Sequence, residues 1–223
     1  TLSSSSAASD VYKRQIKLLD SPGVITVSDE DFIADTIKAR EASVSFFSAA
    51  RKPERERWVA EEFLVNLGIE PQVESIVSAT DEPPDVLFRD ARFEIKEIMD
   101  PGKRRHAEYK ESLRRAKEAK SVEELFETYT PKDITYTELC KLISEALPNI
   151  RPYAPSTQRE LDLLFYVNLE EVHGYVSAEI AASDLFQDYG WRSISFVSGP
   201  LAVVLFATER APLFLRENQG KVA

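Results

Sequence analysis

The sequence predicts an α/β protein in which helices cover a mixed β-sheet. Three observations carry this expectation. Helical patterns with start and stop signals alternate with short apolar runs along the chain. Residues 86–88 and 92–98 are two apolar runs separated by a tight polar break, as in a hairpin. Residues 161–169 are almost continuously apolar, which suits a strand buried on both faces of a sheet.

The elements follow in order. Ser28 precedes Asp29, Glu30 and Asp31, so a cap oxygen and three acids favour the positive end of a helix running to about residue 50. Pro53 opens a second helix over 54–67, where a first-turn proline sacrifices no hydrogen bond, and Gly68 stops it. Residues 72–78 read as a short strand and 80–84 as a loop. The hairpin strands 86–88 and 92–98 turn at Arg89-Asp90-Ala91. Pro101-Gly102 then breaks the chain before a charged helix over 103–120. Ser121 with Glu124, and Thr135 with Glu138, have capping-box spacing. The first would open a short helix and the second a helix ending before Pro148. Residues 151–156 read as a linker or loop, 161–169 as the buried strand, and roughly 177–187 as a helix. Strands over 193–197 and 201–207 turn at Ser198-Gly199-Pro200, and a helix over 211–218 closes the chain.

Residues 5–15, Ser-Ser-Ala-Ala-Ser-Asp-Val-Tyr-Lys-Arg-Gln, read as the translation of a sequencing-library adapter, with a disordered Ser-rich tail as the alternative, so 1–15 are set apart from the fold. The expected organisation is a single domain over 16–223, with a core of about 28–120 and a C-terminal elaboration of about 133–218. Hydrophobic residues make up 43%, enough for a sizeable core, and no apolar run reaches membrane-spanning length. The lone Cys140 cannot form an intramolecular disulfide, which fits a reducing, cytoplasmic setting. Its neighbours Leu139, Leu142 and Ile143 mark it as a core residue rather than a nucleophile.

The formal charge of −10 becomes −11 once residues 1–15, with Asp10, Lys13 and Arg14, are set aside. Such a protein repels nucleic acid at long range, which counts against tight non-specific binding. The charge is uneven, however: from Lys96 to Lys120 nine Lys/Arg stand against five acids.

The chemistry is concentrated in the hairpin. An acid followed two residues later by lysine occurs at Glu94, Glu108 and Glu118. With 38 acids and 12 lysines, about two such matches arise by chance. The last two fall on the charged helix, where Glu-x-Lys is an ordinary solvated face. Glu94 falls in a strand, so side-chain alternation sets Glu94 and Lys96 on one face, with Phe93 and Ile95 on the other. Asp85 opens the neighbouring strand, and a tight hairpin brings it beside Glu94. Two adjacent carboxylates repel unless a cation or a proton intervenes. A hard cation such as Mg²⁺ (or Mn²⁺) answers that need and keeps waters for phosphate oxygens. A lysine on the same face can orient a water or stabilise charge on a phosphorane.

Asp85 and Glu94-Ile95-Lys96, behind the double proline Pro83-Pro84, resemble the signature of the PD-(D/E)XK nuclease superfamily. The resemblance implies a restriction-endonuclease-like fold, with Asp85, Glu94 and the Ile95 carbonyl as metal ligands and Lys96 as the catalytic lysine. It also implies an acid on the helix before the hairpin. Glu56, in line with Val59 or Ala60, Phe63 and Leu67 at helical spacing, is the candidate, with Glu54, Glu61 and Glu62 as rivals. Lys103, Arg104, Arg105, Tyr109, Lys110 and Arg114 are the candidate nucleic-acid contacts, a basic helix with a ring available for stacking. A solvated face with pairs such as Glu111–Arg115 explains the same helix. His106 reads as a polar surface residue, His173 as a loop or cap residue, and Trp191 as core or interface.

Four longer segments are similar to an uncharacterised bacterial family of unknown function described as an endonuclease. They are residues 51–59, 82–91, Gly190-Trp191-Arg192-Ser193 and 211–215. Gly-Trp-Arg-Ser has no chemistry legible from the sequence. The expected function is metal-dependent hydrolysis of phosphodiester bonds in nucleic acid, DNA ahead of RNA, with no membrane partner and a homodimer open to it. The alternative is a catalytically silent nuclease-like module that binds nucleic acid or a protein partner.

Overall fold

The computed structural model describes residues 28–100, 102–126, 132–169, 172–176 and 184–222. The described chain falls into two compact units, one within Thr1–Lys52 and Gly102–Tyr129, the other within Pro53–Pro101 and Thr130–Ala223. Strands from both sides of residue 130 share one sheet.

The first unit is built on α1 (Asp29–Phe46) and α3 (Arg105–Glu118). Ser28 caps α1 as expected, its side chain accepting from the Asp31 amide at 3.1 Å. The helix ends at Phe46 instead of near residue 50, and a 3₁₀ turn, Ala49–Arg51, follows. The Arg40 guanidinium joins the two helices by donating to the Ser112 carbonyl (2.7 Å) and to that of Leu125 (3.0 Å). The Ser121–Glu124 capping box does not form. Glu123–Leu125 is a 3₁₀ turn without a side-chain cap, and Glu124 accepts instead from the Lys120 amide at 2.8 Å.

The second unit holds a six-stranded mixed sheet. Its strands are β1 (Val77–Ser78), β2 (Val86–Phe88), β3 (Ala91–Met99), β5 (Asp162–Asn168), β7 (Ser193–Ser198) and β8 (Leu201–Ala207), and they lie side by side in that order. The β1/β2, β2/β3 and β7/β8 pairs are antiparallel, whereas β3, β5 and β7 run parallel. The expected strand over 72–78 shrinks to two residues after a 3₁₀ turn, Val73–Ser75. A separate parallel pair, β4 (Lys132–Ile134) with β6 (Val172–Tyr175), has no clear sequence signal.

Both sheet faces are covered. Helix α2 (Lys52–Asn66) buries Val59, Ala60, Phe63 and Leu64 against Val86, Phe88, Phe93 and Leu164. Its C-terminus closes as Gly68 predicts: φ is +74°, and the Ile69 amide donates to the Leu64 carbonyl at 2.9 Å. On the other face α4 (Tyr136–Ala146) buries Leu139, Cys140 and Ile143 against Ile98, Leu163, Phe165 and Val167. Thr135 and Glu138 form the capping box expected of them. Cys140 is buried, in keeping with its core reading.

Central strand β5 is buried on both faces, as its apolar run requires. Two helical turns, α5 (Pro155–Gln158) and α6 (Asp184–Gln187), and a terminal helix, α7 (Leu213–Glu217), complete the unit. The expected adapter segment and residues 177–183 of the expected helix lie outside the described residues. Among the described residues, no helix is long and apolar enough to cross a membrane.

Candidate active site

The β2–β3 hairpin sets the geometry. It turns in two residues, Arg89-Asp90, with Phe88 opposite Ala91, so the turn is one residue shorter than expected. Arg89 takes φ +53° there. Val86 lies opposite Phe93, and one further step of this register sets Asp85 opposite Glu94. The ladder continues through Asp85 itself. Its amide donates to the Phe93 carbonyl at 2.9 Å, and its Oδ2 accepts from the Ile95 amide at 2.8 Å. Asp85 and Glu94 are both buried.

Alternation along β3 places Glu94, Lys96 and Ile98 on the α4 side of the sheet and Phe93 on the α2 side. Lys96 Nζ donates to Glu94 Oε1 in a short ion-paired hydrogen bond and to the Ile95 carbonyl at 3.2 Å. The Lys96 side chain is 32% exposed and that of Glu94 only 4%, so the lysine forms the solvent side of the pair. A fourth group was not foreseen. Tyr153, from the loop before α5, donates its hydroxyl to Glu94 Oε1 at 2.6 Å. Burial, the Glu94 hydrogen bond and the charges of Glu94 and Asp85 all raise the Tyr153 pKa, opposed by Arg151. No sequence signal identified Tyr153, because its loop is fixed by contacts 59 residues away.

Glu56 is buried and shares the inward stripe of α2 with Val59, Ala60 and Phe63, as its spacing predicts. That stripe covers the Phe93 face of the sheet. Among the described residues no three His, Cys, Asp or Glu side chains gather to hold a metal.

The basic candidates of α3 belong to the other compact unit. Two of them depart from the expected solvated surface. Arg105 is buried, its guanidinium 4.4 Å from the centroid of the Phe47 ring, and Tyr109 stacks on the same Phe47 at 4.7 Å. The Tyr109 ring is therefore already used within the protein. Arg114 is paired with Glu111 and Glu118, each at 2.6 Å, which raises its pKa. Lys103 lies 3.6 Å from Glu108, while Arg104 and Lys110 are exposed. The solvated-face reading thus accounts for Arg114 and Lys103.

Gly-Trp-Arg-Ser acquires a structural meaning. Gly190 has φ +75°, Trp191 is buried with its ring edge-on to Tyr153, and Arg192 and Ser193 both bind the buried Asp162. The segment braces the sheet and seats the tyrosine that reaches Glu94.

A solved structure of a protein of unknown function from Pseudomonas aeruginosa strain PAO1, described as monooxygenase superfamily, is 28% identical to this chain, with a TM-score of 0.59. The likeness covers 88% of this chain and 95% of that one. No curated protein matches. The family model that matches, over residues 28–223, carries the description "Putative endonuclease, protein of unknown function (DUF1780)", and the chain belongs to that family.

Proposed function

We propose that this chain is a divalent-metal-dependent nuclease of restriction-endonuclease-like fold, hydrolysing phosphodiester bonds in nucleic acid, with DNA ahead of RNA. One observation carries the reading: Asp85 and Glu94 meet on one face of adjacent strands, where a cation is already gathered by Glu94 Oε1 and the Ile95 carbonyl. That cation is the Lys96 ammonium. The oxygens it touches, with Asp85 beside them, are a hard donor set of two carboxylates and a carbonyl. Mg²⁺ takes one or two carboxylates and keeps several waters, so the donor chemistry fits Mg²⁺ or Mn²⁺. The order of α2, the acid-bearing hairpin, α4 and β5 supports the fold reading, and the family's description supports the nuclease reading.

When bound, such a metal polarises the scissile phosphate and acidifies a water. The chain's own residues do the rest. Asp85 and Glu94 bind, and the hairpin ladder holds them in register. Lys96 turns from Glu94 towards the phosphate and stabilises the negative charge that builds on its oxygens. Water adds across the phosphorus–oxygen bond, its oxygen going to phosphorus and a proton to the leaving oxygen.

The test is cleavage of labelled single- and double-stranded DNA and RNA with Mg²⁺ or Mn²⁺. Wild type should cut at least one substrate, and Lys96→Ala should lower turnover by about 10²–10³-fold. Removing the ammonium leaves the buried Glu94 carboxylate without its ion-pair partner, so the variant should melt at a lower temperature than wild type, and cleavage is compared below that temperature, where both are folded. Silence of the folded wild type on every substrate, or undiminished cleavage by Lys96→Ala, overturns the proposal. The first of those results would favour a catalytically silent module, a reading supported by the net charge of −10 and by the engagement of Lys96 with Glu94.

A further inference from the structure

We infer that Tyr153 is a positioning residue for Glu94, fixing which carboxylate oxygen the site presents to a divalent cation. The inference rests on reading Asp85 and Glu94 as cation ligands. Both hydrogen bonds to the Glu94 side chain, from Lys96 Nζ and the Tyr153 hydroxyl, end on Oε1. Two donors converging on one oxygen fix the carboxylate plane and distinguish Oε1 from Oε2.

The tyrosine is well placed for this. It comes from outside the hairpin, so its hold on Glu94 survives when Lys96 moves to a substrate. Its ring meets Trp191 edge-on, with centroids 6.0 Å apart and an interplanar angle of 82°. Trp191 is buried, and the next residue, Arg192, is tied to Asp162. The hydroxyl is thus carried on a ring packed against the core rather than on a free loop. A carboxylate ligand depends on such outer partners for its orientation, and their loss typically costs about 10–100-fold in metal affinity.

Calorimetric titration of Mn²⁺ alone into wild type, Tyr153→Phe, Glu94→Gln and the double variant tests this without turnover. Melting temperatures in metal-free buffer serve as the fold control. Tyr153→Phe keeps the ring against Trp191 and should weaken Mn²⁺ binding about tenfold or more. Beside Glu94→Gln it should add nothing, a non-additivity that a purely structural role would not produce. Wild-type binding that Tyr153→Phe leaves within about twofold, or an equal further loss on top of Glu94→Gln, overturns the role of Tyr153 alone. A folded wild type that binds no Mn²⁺ overturns the ligand reading and this inference with it. Should Tyr153→Phe fail to fold, Trp191→Phe replaces it. That variant keeps the hydroxyl but loosens its seat, so it should weaken Mn²⁺ binding in the same direction, and unchanged affinity overturns the proposal.

Discussion

Asp162 shows how single side chains hold this sheet together. The residue is fully buried and accepts from the Arg92 amide (2.9 Å), Arg192 Nε (3.0 Å), Arg192 Nη2 and the Ser193 hydroxyl (2.8 Å). Arg192 Nη2 also donates to the Asp90 carbonyl at 2.9 Å, so one ion pair ties the hairpin turn to the starts of β3, β5 and β7. Breaking a buried pair by removing one partner strands the other charge. Asp162→Asn should therefore destabilise the protein by about 3–5 kcal/mol, read by urea unfolding. An isolated buried pair can often be exchanged for apolar residues without loss. Here Asp162→Leu with Arg192→Met should not recover wild-type stability, because the Arg92 amide, the Ser193 hydroxyl and the Asp90 carbonyl all lose partners. Full recovery would show that the network adds little beyond the pair. The contrast with Glu94 and Lys96 explains what was legible at this scale. Those two are neighbours on one strand, so alternation places them together. Asp162 and Arg192 meet only because β5 and β7 pair, a contact 30 residues long in sequence.

Local chemistry wrote the elements more plainly than their partners. Thr135 is the clearest case: its side chain accepts from the Glu138 amide at 3.1 Å, and Glu138 returns the bond to the Thr135 amide at 2.7 Å. Thr135→Ala should cost about 1 kcal/mol, seen as a shift of the urea midpoint with an unchanged slope. A loss below a few tenths would mean that the packing of Leu139 and Ile143 alone sets where α4 begins. Where the rule rested on spacing without a helix to follow, it failed. Ser121 and Glu124 have the same spacing as Thr135 and Glu138, yet the segment after them makes only a three-residue 3₁₀ turn. The expected strand over 72–78 contracted for a related reason. It is an edge strand paired with β2 alone, and of residues 72–78 only Val77 and Ser78 stand opposite β2 residues. The β4–β6 pair was missed because its strands are short and lie about 40 residues apart, and only tertiary pairing reveals them.

At the scale of the whole molecule, charge decides how a nucleic acid could be held. The chain carries −10 overall, so long-range electrostatics oppose a polyanion. The basic run from 96 to 120 promised compensation, but much of it is engaged within the protein. Arg105 and Tyr109 pack on Phe47, Lys117 pairs with Glu41 at 2.6 Å, and Arg114 is held between two glutamates. Arg104, Lys110 and Lys120 remain exposed on that stretch. A protein neutralising only two or three phosphates should show a shallow salt dependence, with log K falling against log salt at a slope of about −2 to −3. Lys96→Ala, which should bind its substrate without cutting it, allows this to be measured by fluorescence anisotropy in Mg²⁺ from about 50 to 200 mM salt. Binding should also collapse when the metal is chelated, since Asp85 and Glu94 would then face the phosphates as bare carboxylates. A slope of about −6 or steeper, or binding indifferent to chelation, would instead place the nucleic acid on a broad basic surface away from the hairpin.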